Sequence, residues 1–190
     1  MTLALQTLPK NRLWTVEEYH HMVEVGIISP DEKVELIEGE VISMAAKKPP
    51  HVITTELSCE YLRVLLHGLA HIRTQDPVFL NDRTEPEPDI AVVMPPLRRY
   101  LDHHPEPKDI FLIVEIADAT MKFDTKQKAA AYAESNIADY WVVDVSLRQV
   151  HIFREPMTGT YAKKSVLSEN CTIKLLAFPE IEVVLREFFP

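Results

Sequence analysis

A glutamate sits inside one of the most apolar runs of this chain, Phe-Leu-Ile-Val-Glu-Ile-Ala at 111–117. Burying a carboxylate without a partner costs several kcal/mol, so Glu115 must be hydrogen-bonded, ion-paired or metal-bound. Any fold this chain adopts has to bring such a partner to that strand. Two flanking stretches offer one. Glu-Pro-Asp-Ile-Ala-Val-Val (87–93) puts Asp89 after a proline, which favours extended structure, at the head of a second apolar strand. Phe-Asp-Thr-Lys-Gln-Lys (123–128) leads into an alanine-rich helix expected over 125–135, on which Asp124, Lys128 and Tyr132 recur at i, i+4 and i+8. The bland reading of that triplet is a surface Asp–Lys pair with Tyr132 at the core edge.

If the Asp89 and Glu115 strands are sheet neighbours, their carboxylates converge. Two carboxylates, a backbone carbonyl and waters suit Mg²⁺, a hard cation with octahedral oxygen coordination. Such a metal activates water and stabilises a phosphoryl transition state. Asp89 as a turn acid and Glu115 as half of a buried ion pair are the structural alternatives.

The remaining chain frames these strands. Thr15 and Glu18 form a capping box for a helix that Gly26 ends. Two short strands flank a Glu38-Gly39 turn, and Pro49-Pro50 introduces a helix over 51–69 with Leu57, Tyr61, Val64 and Leu65 as its apolar face. Strands are expected at 72–75, 78–81 and 137–145, an antiparallel pair at 149–154 and 161–166, and a closing segment at 181–189. The fold class is therefore α/β or α+β with a mixed central sheet: one domain over 14–190 after a loose lead-in, 1–13. Four glycines and no glycine-rich loop argue against a nucleotide cradle. His20-His21 and His103-His104 read as solvated pairs.

A net charge of −9 disfavours sequence-blind attraction to a polyphosphate, so a nucleic-acid role needs a locally basic or metal-loaded surface. Lys47-Lys48, Arg98-Arg99 and Lys163-Lys164 are the candidate phosphate contacts. Cys59 and Cys171 form no metal or disulfide spacing, which fits a reducing cytoplasm, and no leader or membrane-length apolar run is seen.

Glu-Leu-Ile-Glu-Gly-Glu (35–40), Pro-His (50–51), Glu-Pro-Asp (87–89), Val-Glu-Ile (114–116), Asp124…Lys128…Tyr132-Ala133 and Ile-Ala-Asp-Tyr-Trp-Val-Val-Asp (137–144) together resemble the Uma-type family of bacterial restriction-endonuclease-like proteins. That family is similar to the PD-(D/E)XK nucleases, and the likeness spans 12–186. It implies a restriction-endonuclease-like core with extra antiparallel strands. Asp89, Glu115 and the Ile116 carbonyl would hold Mg²⁺ or Mn²⁺, and Lys128 would position water. Glu35, His51, Asp124 and Tyr132 would support them. The superfamily's Glu-x-Lys is absent, because position 117 is alanine; the resemblance implies a lysine displaced to the next helix, here Lys128. The usual Ser-Pro-Ser-Thr after the Glu strand is Ala-Asp-Ala-Thr here. The implied activity is metal-dependent hydrolysis of nucleic acid, DNA first, with no membrane and a homodimer as candidate assembly. The alternatives are a catalytically inactive nucleic-acid- or protein-binding module and a hydrolase of small phosphate esters.

Overall fold

The computed structural model describes residues 11–190, so most of the lead-in lies outside the described residues. Its centre is a six-stranded mixed sheet, ordered β3-β4-β5-β6-β7-β8: β3 (His71–Thr74), β4 (Ile90–Val93), β5 (Ile110–Ala117), β6 (Asp139–Asp144), β7 (Gln149–Met157) and β8 (Thr160–Ser168). Only the β5–β6 pairing is parallel, and the helical segment 121–134 is its crossover. Strands β4, β5 and β6 are buried on both faces, which is why their sequences read as near-continuous apolar runs.

The pleat sorts each strand between two cores. Ile90, Val92, Leu112, Val114, Ile116, Trp141 and Val143 pack with Leu62, Leu66, Leu185 and Phe188 beneath helix α2 (Pro49–Leu65) and the C-terminal 3₁₀ turn (Leu185–Phe188). Ala91, Val93, Ile113, Ala117, Tyr140 and Val142 face the opposite way, toward Ala129, Tyr132 and Ala133. Glu115 alternates with Val114 and Ile116, so it points into this second layer.

Helix α1 (Val16–Glu24) has the expected Thr15–Glu18 capping box. Strands β1 (Val34–Ile37) and β2 (Glu40–Ser43) form a hairpin whose two turn residues, Glu38 and Gly39, both have positive φ. Gly39 is also required sterically: a Cβ there would lie 2.7 Å from that of Leu13. A small antiparallel pair, β9 (Thr172–Lys174) and β10 (Glu182–Val184), precedes the C-terminal turn.

Three expectations are corrected. The 78–81 segment is not a strand of the sheet; Val78 and Leu80 bond Pro86 and Thr84 across a turn instead. Helix α2 ends at Leu65 and buries His51, Thr54, Thr55, Ser58, Cys59 and Leu62, while Val64 is 74% exposed. Small and polar side chains let its N-terminal half approach the sheet, so the expected apolar stripe marks the packed face only in part: Tyr61 and Leu65 pack against the core and Val64 does not. The third helix is not uniform: α3 (Met121–Phe123) passes through a π turn (Asp124–Lys128) into α4 (Ala129–Glu134).

Candidate active site

Strands β4 and β5 are antiparallel neighbours with Ile90 opposite Val114, which sets Asp89 across from Glu115. The Asp89 N–H lies 3.4 Å from Glu115 Oε2, and Asp89 Oδ2 accepts the Ile116 N–H at 2.9 Å. Each acid is thus fixed to the other's strand. His51, in the first turn of α2, brings Nε2 to 3.2 Å from Asp89 Oδ2, and Lys47 brings Nζ to 3.6 Å from Oδ1.

The hairpin supplies the third acid. Its β1 strand bonds the segment ahead of Asp89 through the Glu85 N–H and Leu36 carbonyl at 2.8 Å, and Glu35 Oε2 accepts the Glu87 N–H at 3.2 Å. This buries the Glu35 carboxylate beside the β4–β5 pair.

From the opposite side comes the π turn. Its wider loop lets the Asp124 carbonyl accept the Ala129 N–H five residues on, while Tyr140 Oη donates to the same carbonyl at 2.9 Å. Lys128 then reaches Glu115 Oε1 at 2.9 Å and Glu35 Oε2 at 3.1 Å, and Tyr132 Oη donates to Glu115 Oε1 at 2.9 Å. Alanines 129, 131 and 133 are buried around them, so α4 lies close enough for both side chains to reach the sheet. Asp124 and Lys128 are both buried, and Lys128 pairs with Glu115 and Glu35, so the surface-pair reading fails. Lys122 and Lys126 are exposed.

Ala117 stands two residues beyond Glu115 on β5. Its side chain faces the same layer as Glu115 and is 1% exposed. The Lys128 ammonium meets Glu115 from the neighbouring helix.

Electrostatics follow from this crowding. Burial pushes the Glu115 carboxyl up to about 8; Lys128 opposes the shift, and Asp89, Asp124 and Glu35 add to it. Burial likewise lifts Asp124 to about 6 against a Thr120 hydrogen bond and Lys128. Burial alone would raise Asp89, but His51, the Ile116 N–H and Lys47 outweigh it and hold that carboxyl below its ordinary value. For Lys128, burial is outweighed by Glu115, Glu35 and Asp124, which raise its pKa and favour the ammonium form.

These groups line a cavity of about 210 Å³ together with Lys47, Lys48, Glu87, Asp118 and Thr120. Asp89, Glu115, Lys128, Glu35, His51, Ile116 and Asp124 all border it, and Tyr132 stands behind Glu115. Lys48 reaches across to Asp118 at 3.1 Å. Arg99 is instead bound to Asp109 and Lys163 to Glu155, away from the cavity. The histidine pairs are not simply solvated: His20 bonds buried Glu85 at 2.6 Å, and His103 and His104 line the same separate pocket.

Among the described residues, no three carboxylate, imidazole or thiol groups stand together as a ready-made metal cage. Mg²⁺ does not need one, since it keeps several waters and takes one or two carboxylates. The donor set fits that cation: Asp89 and Glu115 offer hard oxygens to one cavity, which Glu35 and Asp124 also border. Among the described residues, no helix is long and apolar enough to cross a membrane.

Comparison with solved structures gives a TM-score of 0.69 to a protein from Anabaena variabilis ATCC 29413, titled a "putative nuclease belonging to DUF820". The two share 14% identity, over 92% of this chain and 97% of the other, which establishes the common mixed-sheet fold. No curated protein matches the chain. A family model described as "Putative restriction endonuclease" matches residues 16–186, and the chain belongs to that family, Uma2.

Proposed function

We propose that this protein is a divalent-metal-dependent endonuclease that hydrolyses phosphodiester bonds in DNA. One observation carries the reading: the cross-strand Asp89–Glu115 pair borders the same cavity as a buried lysine ammonium. Asp89 and Glu115 would hold Mg²⁺ or Mn²⁺, with the Ile116 carbonyl as third protein ligand. When bound, the cation supplies Lewis-acid stabilisation of the phosphate and a water of lowered pKa.

The chain's own groups do the rest. The Lys128 ammonium, favoured by Glu115 and Glu35, would orient water and offset developing negative charge through its N–H donors. Tyr132 and Glu35 hold Glu115 and Lys128 in register. His51 and the Ile116 N–H fix Asp89 Oδ2 and leave Oδ1 turned elsewhere. The low-dielectric walls strengthen each of these interactions. Family membership supports a nuclease, while the choice of DNA rests on the likeness to restriction-type folds.

The test is cleavage of supercoiled and single-stranded DNA with Mg²⁺ or Mn²⁺, comparing wild type with Asp89→Asn. The isosteric amide keeps the shape and removes the charged ligand. Metal-dependent nicking by the wild type, lowered at least 10³-fold in the variant, supports the reading. No cleavage by folded wild type with either metal overturns it and favours a binding module.

A further inference from the structure

Lys47 lies on the loop between β2 and α2, and its Nζ stands 3.6 Å from Asp89 Oδ1. Asp89 Oδ2 is already satisfied by Ile116 and His51, so Oδ1 is the oxygen with capacity to spare. Its other neighbour is Gln75, whose Nε2 lies at 3.5 Å. The Lys47 side chain is 27% exposed, whereas that of Lys128 is 5% exposed and locked between two carboxylates. Two cations thus serve one acidic cavity, one fixed and one on a loop with a route outward.

We propose that Lys47 is the resident counter-ion of Asp89 in the metal-free protein, and that a divalent cation displaces it toward the cavity mouth, where it contacts a substrate phosphate. This rests on the metal-dependent reading above. An ammonium and a divalent cation would compete for Oδ1 of Asp89, whose present partners are both 3.5 Å or more away, and like charges at such separation repel strongly in a low-dielectric cavity. Retreat inward is opposed by the buried Lys128 ammonium, a like charge on the same cavity. The open direction is the rim, where Lys48 already spans to Asp118. A flexible ammonium freed there can meet phosphate as a point charge. Metal loading thereby converts a cation that shields the empty acid into one that receives the polyanion.

Mn²⁺ titration by calorimetry tests the first half, using wild type, Lys47→Gln and Lys48→Gln. The two variants make the same charge change on the same loop, so long-range field effects are matched. Lys47→Gln should bind Mn²⁺ three- to tenfold more tightly, with Lys48→Gln changing affinity clearly less. Equal tightening in both, or none in Lys47→Gln, overturns displacement. Wild type that binds no Mn²⁺ overturns the metal reading itself and displacement with it. For the second half, a fluorescent phosphorothioate oligonucleotide is titrated into Mn²⁺-saturated protein. Binding about tenfold weaker in Lys47→Gln, restored substantially by Lys47→Arg, supports the phosphate contact; unweakened binding overturns it. Neither readout requires turnover, so an inactive but metal-binding protein would still decide the Lys47 question.

Discussion

Lys128 Nζ lies 2.9 Å from Glu115 Oε1, and the same ammonium is 3.1 Å from Glu35 Oε2. One buried cation therefore ties the β5 strand, the β1–β2 hairpin and the π turn together. Lys128→Met should expose the cost of this arrangement, because it leaves two buried carboxylates without their shared partner. The metal-free protein should lose about 3–5 kcal/mol of stability. Mn²⁺ should restore part of it by supplying the missing positive charge. Urea denaturation with and without Mn²⁺ measures both; an unchanged midpoint would remove Lys128 from the stability argument.

The Glu115 pKa, raised to about 8 by burial, sets the pH dependence. Its folded form holds a proton more tightly than the unfolded chain. That stabilisation is complete below the ordinary carboxylate value near 4.5 and is lost as pH rises through about 8. Asp124 acts in the same sense over a lower window, from 3.8 to about 6. Asp89, held below its ordinary value, acts oppositely and loses its contribution in acid. Metal-free protein should therefore become less stable between pH 5 and 8, by at most about 1.4 kcal/mol per pH unit for each proton. Glu115→Gln should flatten that slope, and saturating Mn²⁺ should do likewise, since the cation binds the carboxylate. Urea midpoints at four pH values distinguish these cases.

His51 contacts Asp89 Oδ2, and through that carboxylate it acts as a positioning residue. Its Nδ1 sits 3.4 Å from Thr55 Oγ1, while Nε2 faces Asp89. Removing a group that orients a metal-binding carboxylate typically costs 10–100-fold in metal affinity. His51→Ala should show that loss with the fold intact by circular dichroism, and His51→Gln should recover part of it. A loss of cleavage with unchanged Mn²⁺ affinity would instead give His51 a direct part in the chemistry.

Tyr132→Phe removes a buried hydrogen bond to Glu115 Oε1. The carboxylate loses a donor it cannot replace with water, so stability should fall by about 1–3 kcal/mol. Fewer donors also favour the protonated carboxyl, and Mn²⁺ binding should then require a higher pH than in wild type. Mn²⁺ titrations across pH 6–9 report that displacement.

Much of the site was legible because burial of charge is costly enough to leave a mark in sequence. An acid within Ile-Val-Glu-Ile demanded partners, and Asp89, Lys128 and Tyr132 are what the fold provides or places beside it. The Thr15–Glu18 cap and the Glu38-Gly39 turn were readable for similar local reasons. Other features depend on tertiary context. The π turn leaves no mark in an apolar period, and it is stabilised from outside by Tyr140. The packed face of α2 carries Thr54, Thr55 and Ser58, so counting apolar residues selected Val64, which faces solvent. Lys47 looked like one of several basic pairs; only the fold of its loop sets it beside Asp89.

Ala117 allows the proposed displacement of the site lysine from β5 to Lys128 to be tested directly. It lies two residues beyond Glu115 on the same face of β5, about 7 Å along the strand, within reach of a lysine side chain. In wild type that space is filled, since Ala117 belongs to the packed layer that contains Ala129 and Tyr132. Ala117→Lys alone should destabilise the protein by about 1–3 kcal/mol through overpacking, with a second cation crowding Lys128. In a Lys128→Ala background the vacated volume and the unpaired Glu115 both favour the new lysine. The double variant should therefore be more stable than the sum of the single effects, by a coupling of at least about 0.5 kcal/mol. Recovery of metal-dependent cleavage above the Lys128→Ala level would show that one ammonium can serve Glu115 from either element. Strictly additive losses would show that the helix, and not the charge alone, sets the geometry the site needs.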